Sequence, residues 1–166
     1  ASGSNATKTI TISTDVVLNP SLKEYNSIYI GSDPNSTTNT AEYNVALGVG
    51  SLAAITTGER NTAIGYQALY TNSTGILNTA TGYYALSTNS AGIGNTATGF
   101  EAGKTITSGD YNVCIGYGAI PPSATADKQL AIGTLGVTWI SGVSSGNVGI
   151  GITNPTVALD VSGTIR

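Results

Sequence analysis

The chain has 166 residues, including 22 glycines, with 9% charged residues, a formal net charge of −3 and neither histidine nor methionine. Its six lysines and arginines are scattered, which argues against a nucleic-acid ligand because phosphate binding needs clustered cations. Runs of helix-favouring residues are missing, so we expect an all-β chain, and no apolar run is long enough to predict membrane insertion.

The first 26 residues differ from the rest of the chain. The opening ASGSNA is typical of a cloning remnant, so we expect the native chain to begin elsewhere. The stretch TKTITIST alternates polar and apolar residues as a strand does. We predict that residues 1–26 form a cap, since the ends of a solenoid need protection.

Residues 27–137 contain seven copies of a 17-residue repeat without an insertion. Two consecutive copies read NTAIGYQALYTNSTGIL and NTATGYYALSTNSAGIG. Because loops tolerate insertions, this constant phase indicates that each copy stacks on the last. We predict a parallel β-solenoid with one copy per coil and coils about 4.8 Å apart. The copies begin at Ser27, Asn44, Asn61, Asn78, Asn95, Asn112 and Gln129.

Equivalent positions of the copies form columns. The third position is small from the second copy onward, and its neighbours are mostly bulky, which predicts a strand with alanine on one face. A later apolar pair, such as Ala68-Leu69, predicts a second short strand. Glycine at the fifth position predicts a positive φ or a contact too close for a Cβ. These glycines are Gly31, Gly48, Gly65, Gly82, Gly99, Gly116 and Gly133, and a second column contains Gly58, Gly75, Gly92 and Gly109.

Two columns predict ladders of stacked side chains. The asparagines at the first position, Asn44, Asn61, Asn78, Asn95 and Asn112, are expected to hydrogen-bond from coil to coil. Tyr66, Tyr83, Phe100 and Tyr117 are expected to stack as an aromatic ladder. We favour packing between coils as the role of these rings over a sugar-binding strip.

Few residues suggest chemistry. Without histidine, the Ser/His and Cys/His nucleophile arrangements are unavailable. Glu42, Glu59, Asp110 and Asp127 share the sixteenth position, which favours a solvated rim over a cation site or a pair of catalytic carboxylates. Cys114 stands where other copies have alanine, so we expect a small buried residue rather than a reactive thiol. We therefore predict no catalytic residues, no metal and no cofactor.

Residues 138–166 follow the last copy. Trp139, the only tryptophan, is expected to plug the end of the roll, with ligand stacking as the alternative. NVGIG and VALDVSG predict two strands around the turn TNPT.

So thin a coil leaves apolar surface exposed, which predicts a partner. Because every coil repeats the same residues, a rotational homo-oligomer would cover one stripe at every level. The copies NTAIGYQAL, NVCIGYGAI and QLAIG resemble the head repeats of trimeric autotransporter adhesins, and similar repeats occur in phage and large-virus fibres. This resemblance covers residues 27–133. It implies a left-handed parallel β-roll assembled as a parallel homotrimer, although the 17-residue period is longer than the usual adhesin repeat.

A second resemblance concerns residues 146–166, GNVGIGITNPTVALDVSGTIR. This stretch is similar to the segment that precedes the self-cleaving chaperone of phage tail fibres and tailspikes. The resemblance implies that such a chaperone would begin after Arg166, and that the chain is viral rather than bacterial.

These observations predict a non-enzymatic, extracellular virion fibre or tail-fibre segment that supports attachment to a host cell. The alternative is the head of a trimeric autotransporter adhesin on a bacterial surface, and the third possibility is a glycan-cleaving tailspike. A host glycan or protein is the expected partner, and Tyr70 and Tyr84 in the variable turns are the candidate receptor contacts. Thr79, Thr81, Thr96 and Thr98 also fit an ice-binding face, which their Ile and Val neighbours disfavour.

Overall fold

The computed structural model describes residues 27–30 and 40–163. The predicted cap of residues 1–26 and the glycine at position 31 lie outside these residues. All regular structure in the described part is β, with no helix. Ten strands form one sheet in which neighbours along the chain are neighbours in space. They are β1 (Ile28–Ile30), β2 (Val45–Leu47), β3 (Thr62–Ile64), β4 (Thr79–Thr81), β5 (Thr96–Thr98), β6 (Val113–Ile115), β7 (Leu130–Thr134), β8 (Val137–Gly142), β9 (Val148–Ile150) and β10 (Leu159–Val161).

Strands β1 to β7 are parallel and in register. Each strand residue pairs with the residue 17 positions later, so that Val45 pairs with Thr62 and Thr62 with Thr79. The five complete coils described are residues 44–60, 61–77, 78–94, 95–111 and 112–128. The predicted β-solenoid with one repeat per coil is confirmed.

The core of the solenoid is narrow and filled mainly by alanine. The central residue of each strand from β2 to β6 points inward and is buried, as the sequence predicted. The opposite wall supplies an alanine (Ser51 in the first complete coil) and, in three coils, a leucine from the turn that follows the strand, while Ile55 and Ile106 are buried further along their coils. The inward strand residues are Ala46, Ala63, Ala80, Ala97, Cys114 and Ala131, and the buried leucines are Leu52, Leu69 and Leu86.

The second apolar pair of the repeat does not form a strand, so that prediction is wrong. Gln67 and Leu69 both have positive φ, of 52°, on either side of Ala68. Left-handed residues at alternate positions curl the chain and prevent an extended strand. The same curl turns both Ala68 and Leu69 into the core.

Positive φ is common at residues other than glycine in this fold. Among the described residues, it falls in three columns of the repeat, represented by Arg60, Gln67 and Leu69. Such residues persist only where the surroundings fix the backbone. Here the neighbouring coils do so, since the Gln67 N–H donates to the Val49 carbonyl at 3.0 Å and the Leu69 N–H to the Ala85 carbonyl at 3.0 Å.

The fifth-position glycines meet both conditions that the sequence suggested. From Gly48 to Gly116 their φ lies between 120° and 139°, a region that residues with a side chain rarely adopt. A Cβ on Gly48 would also lie 2.5 Å from the carbonyl oxygen of Gly65 in the next coil. The second glycine column has only the steric reason: a Cβ on Gly75 would lie 2.6 Å from the Gly92 oxygen.

The sheet reverses direction after the last coil. Strand β8 runs antiparallel to β7 and β9, and β10 is parallel to β9. The two strands predicted around TNPT, now β9 and β10, are confirmed, and they extend the sheet that the coils begin. Between β7 and β8 the register shifts, leaving Trp139 as an extra residue between the pairs Gly133–Thr138 and Ile132–Ile140.

Three glycine variants separate backbone strain from steric contact. We expect Gly136→Ala, at φ 75° with open space around it, to lower stability by about 1 kcal/mol. Gly75→Ala places a Cβ against Asn72 Oδ1 and the Gly92 carbonyl without left-handed strain, and is expected to lower stability by about 1–3 kcal/mol. Gly82→Ala combines φ 137° with contact to the Gly99 carbonyl and should be the most harmful. Thermal melts check the order, and an unchanged melt for Gly82→Ala would contradict the role of the column.

Candidate functional site

The first-position asparagines form the predicted ladder. In Asn61, the backbone N–H and Nδ2 both donate to Oδ1 of Asn44, at 2.9 and 3.1 Å. The same Nδ2 donates to the Gly75 carbonyl of its own coil at 2.8 Å. Each buried side chain therefore links two coils and also joins the start of its coil to the end. Backbone N–H donation to the preceding Oδ1 recurs at Asn78, Asn95 and Asn112.

The two copies without asparagine terminate the ladder. At one end, Ser27 Oγ accepts the Asn44 N–H at 3.0 Å. At the other, Gln129 donates to Asn112 Oδ1, and its longer side chain also reaches back so that Oε1 accepts the Ser123 N–H at 2.9 Å. The exceptions to the sequence pattern are thus the ends of the hydrogen-bonded stack.

A shorter second ladder lies at the twelfth position, and the sequence predictions missed it. Asn89 Nδ2 donates to Asn72 Oδ1 at 2.9 Å, and both residues are fully buried. The next residue in this column is Ile106, whose side chain has no hydrogen-bond donor. Asn89 Oδ1 is accordingly buried without a hydrogen-bond partner. The 17-residue phase contains the signal, because Ile55, Asn72, Asn89 and Ile106 align in it.

The acidic column forms hydrogen bonds along the rim. Asp127 Oδ1 accepts the Asp110 N–H at 2.8 Å, and Asp110 Oδ1 accepts the Ile93 N–H at 2.7 Å. Glu59 pairs with the exposed Arg60 at 2.5 Å. Within residues 27–30 and 40–163, no three His, Cys, Asp or Glu side chains are grouped so that they could hold a metal ion.

Cys114 is completely buried in the alanine column, as predicted. Burial disfavours the charged thiolate and raises the pKa of Cys114 to about 12. Its thiol therefore remains protonated at neutral pH.

The surface best suited to bind a partner is the outward side of the sheet. We use the term outer face for the second- and fourth-position residues of β2 to β7 together with the residues of β8 to β10 that pair with them. Pairing places one row along Leu47, Ile64, Ile115, Ile132 and Ile150, with two threonines at its centre. Ile115 is 42% exposed and Leu47 46%. A second row runs beside it, through the second-position residues from Val45 to Leu130 and their pairing partners in β8 to β10. Neither row contains a charged side chain.

The aromatic ladder borders the outer face. Successive rings of Tyr66, Tyr83, Phe100 and Tyr117 are stacked with centroids 5.1, 5.0 and 4.9 Å apart. The predicted stacking is confirmed. Because Tyr83 and Phe100 have a ring on each side, a sugar could not stack on their faces, and the column presents ring edges to the outside.

The candidate receptor tyrosines lie in different columns of the coil. Tyr70 is exposed in the turn after Leu69. Tyr84 contacts Tyr66 and Tyr83 edge-on, and Lys104 Nζ lies 5.5 Å from its ring centre while also pairing with Glu101. The structure therefore leaves Tyr70 the freer of the two side chains.

Trp139 does not plug the solenoid in this chain, since its side chain is 57% exposed on β8. A bulge residue changes the alternation of side chains along a strand. Trp139 and the following Ile140 are accordingly both exposed, and Ile140 pairs with Ile132 in the outer face. The sequence could not reveal this placement because the bulge depends on pairing with β7.

No known protein family, curated protein or solved structure matched the chain in comparisons of all three kinds. In residues 27–30 and 40–163, no helix has the length and apolar character needed to cross a membrane.

Removing one asparagine should show how much the ladder contributes. Asn78→Ala deprives the buried Asn95 N–H of its partner and leaves the Gly92 carbonyl with only the 3.3 Å hydrogen bond from Asn89 Nδ2. We expect a loss of about 1–3 kcal/mol in unfolding free energy, since an unsatisfied buried group costs about that much. Denaturant unfolding measures the change.

Asn147→Ala is the matched control, because Asn147 lies outside the ladder and donates only to the Pro155 carbonyl at 3.2 Å. Equal losses for Asn78→Ala and Asn147→Ala would contradict a special role for the ladder.

Proposed function

We propose that this chain is a segment of an extracellular virion fibre, a left-handed β-roll that assembles as a parallel homotrimer and supports attachment to a host cell. The observation that carries the proposal is the uncharged outer face. It runs across the nine strands β2 to β10, a length of about 40 Å at about 4.8 Å per strand. Long exposed apolar surfaces of this kind mark interaction sites.

Further copies of the same chain are the partner that fits this surface best. The solenoid repeats its outward residues at a constant spacing, and a parallel copy repeats them at the same spacing. An in-register rotational assembly therefore gives every coil an equivalent neighbour. The number three and the viral setting rest on the resemblance of the repeats and of residues 146–166 to fibre proteins.

Attachment is assigned to the turns rather than to the strands. The outer face is occupied in the assembly, whereas the turns remain accessible and differ between copies. Tyr70 presents an exposed ring that could stack on a sugar or an apolar protein surface. Three such sites around the fibre axis would bind through avidity.

Assembly is tested by light scattering at micromolar concentration, where we expect three times the mass of one chain. Ile115→Glu should abolish assembly, because it places a charge in the buried centre of each contact. It should change the stability of the single chain little, since Ile115 is already exposed there. Thr105→Glu, in an exposed turn of the preceding coil, is the control. A wild-type monomer would overturn the proposal, and a trimer unaffected by Ile115→Glu would move the contact to another surface.

Receptor contact is tested by measuring trimer binding to host cells and to a glycan array. We expect Tyr70→Ala and Tyr84→Ala to weaken binding, with Tyr111→Ala as a control at an exposed tyrosine in a different column. Binding that survives both changes and is lost with Trp139→Ala would place the contact at the end of the fibre.

A further inference from the structure

We propose that the threonines at the centre of the outer face set the axial register between copies of the chain. This inference rests on the proposed assembly and adds a specific role for Thr79, Thr81, Thr96 and Thr98. These four residues occupy the outward positions of β4 and β5. Thr62 in β3 extends the polar patch by one residue.

The hydroxyls in this patch are free, unlike those in the turns. Thr71 Oγ1 donates to the Ser87 carbonyl at 2.9 Å, and Thr56 Oγ1 donates to the Ser73 carbonyl at 2.9 Å. Ser73 and Ser90 likewise donate to carbonyls of the following coil. Within the described part of the chain, no side-chain hydrogen bond involves Thr79, Thr81, Thr96 or Thr98. Their hydroxyls therefore remain available to another molecule.

Apolar residues lie on both sides of the patch. Val45, Leu47 and Ile64 lie on one side, and Val113 and Ile115 on the other. In a parallel assembly without axial displacement, threonine faces threonine and apolar residues face apolar residues. Displacement by one coil brings Thr81 opposite Ile64 and Thr98 opposite Ile115. Buried hydroxyls then face groups that cannot bond them, which is strongly unfavourable.

A polar layer inside an apolar interface is a general means of specifying register. It is needed here because the 17-residue repeat makes displaced assemblies nearly equivalent in backbone shape. Apolar contacts alone have little directionality, so the hydroxyls supply the distinction. The occupant of the face is a second copy of the chain, since the same pattern is complementary to itself.

The test uses cysteine crosslinking in a Cys114→Ala background, where alanine is the residue found in neighbouring coils. Chains with Ile64→Cys report in-register contact by crosslinking to each other. A chain with Leu47→Cys is mixed with a differently tagged chain with Ile64→Cys. A crosslink between these two chains reports displacement by one coil. With the four threonines intact, we expect the displaced product to be less than about a tenth of the in-register product. Replacing all four by valine, which keeps the branched shape, should raise the two products to comparable yield.

Thr57, Thr74, Thr105 and Thr125 provide the matched control, because all four are exposed in turns and the same change to valine removes as many hydroxyls. This control should leave the displaced product rare. If the wild type is trimeric and the central valine variant keeps its register, the inference is wrong while the proposed assembly stands. If the wild type is monomeric, both the proposed assembly and the register inference fail. In that case, freezing-point depression by the wild type that is lost when the four central threonines are replaced by valine would assign these threonines to ice binding.

Discussion

The asparagine ladder is the interaction on which the rest of the structure depends. The backbone N–H of each first-position asparagine donates to the first-position side chain of the preceding coil. In most copies the asparagine Nδ2 also donates to a carbonyl near the end of its own coil. The coil is thereby closed and stacked by one buried side chain. Since a buried amide without partners is costly, an inserted residue would break bonds in two coils. This explains why the period stays at 17 from Ser27 to Gln129.

A narrow core follows from this closure. With so few residues in each coil, the interior admits a small residue from the strand and only a few larger side chains from the rest of the coil, such as Leu52 and Ile55. Stability must therefore come largely from contacts along the stack, through the ladders, the turn hydroxyls and the aromatic column. The glycines permit these contacts, because a Cβ at Gly48 or Gly75 would collide with the next coil.

The same geometry leaves the bulky strand residues outside. A thin coil can bury one face of its strands, so the other face becomes a long surface that in-register pairing keeps in straight rows. In each three-residue strand of the coils, the central residue is therefore buried and contributes to stability, while the two flanking residues face outward and are available to a partner. In the proposed assembly this surface is the contact, and the turns carry any attachment site.

The sequence by itself determined the parallel stack, its 17-residue register, the inward alanines, the asparagine and aromatic ladders, and the buried Cys114, because each depends on a residue type recurring at equal spacing. It misjudged the Ala68-Leu69 segment, since left-handed φ at Gln67 and Leu69 is held by hydrogen bonds from adjacent coils. In residue type it shows only as glycine in other copies, at Gly50, Gly103 and Gly118. It also misplaced Trp139. Only the tertiary structure decided that position, because a bulge arises from how β8 pairs with β7.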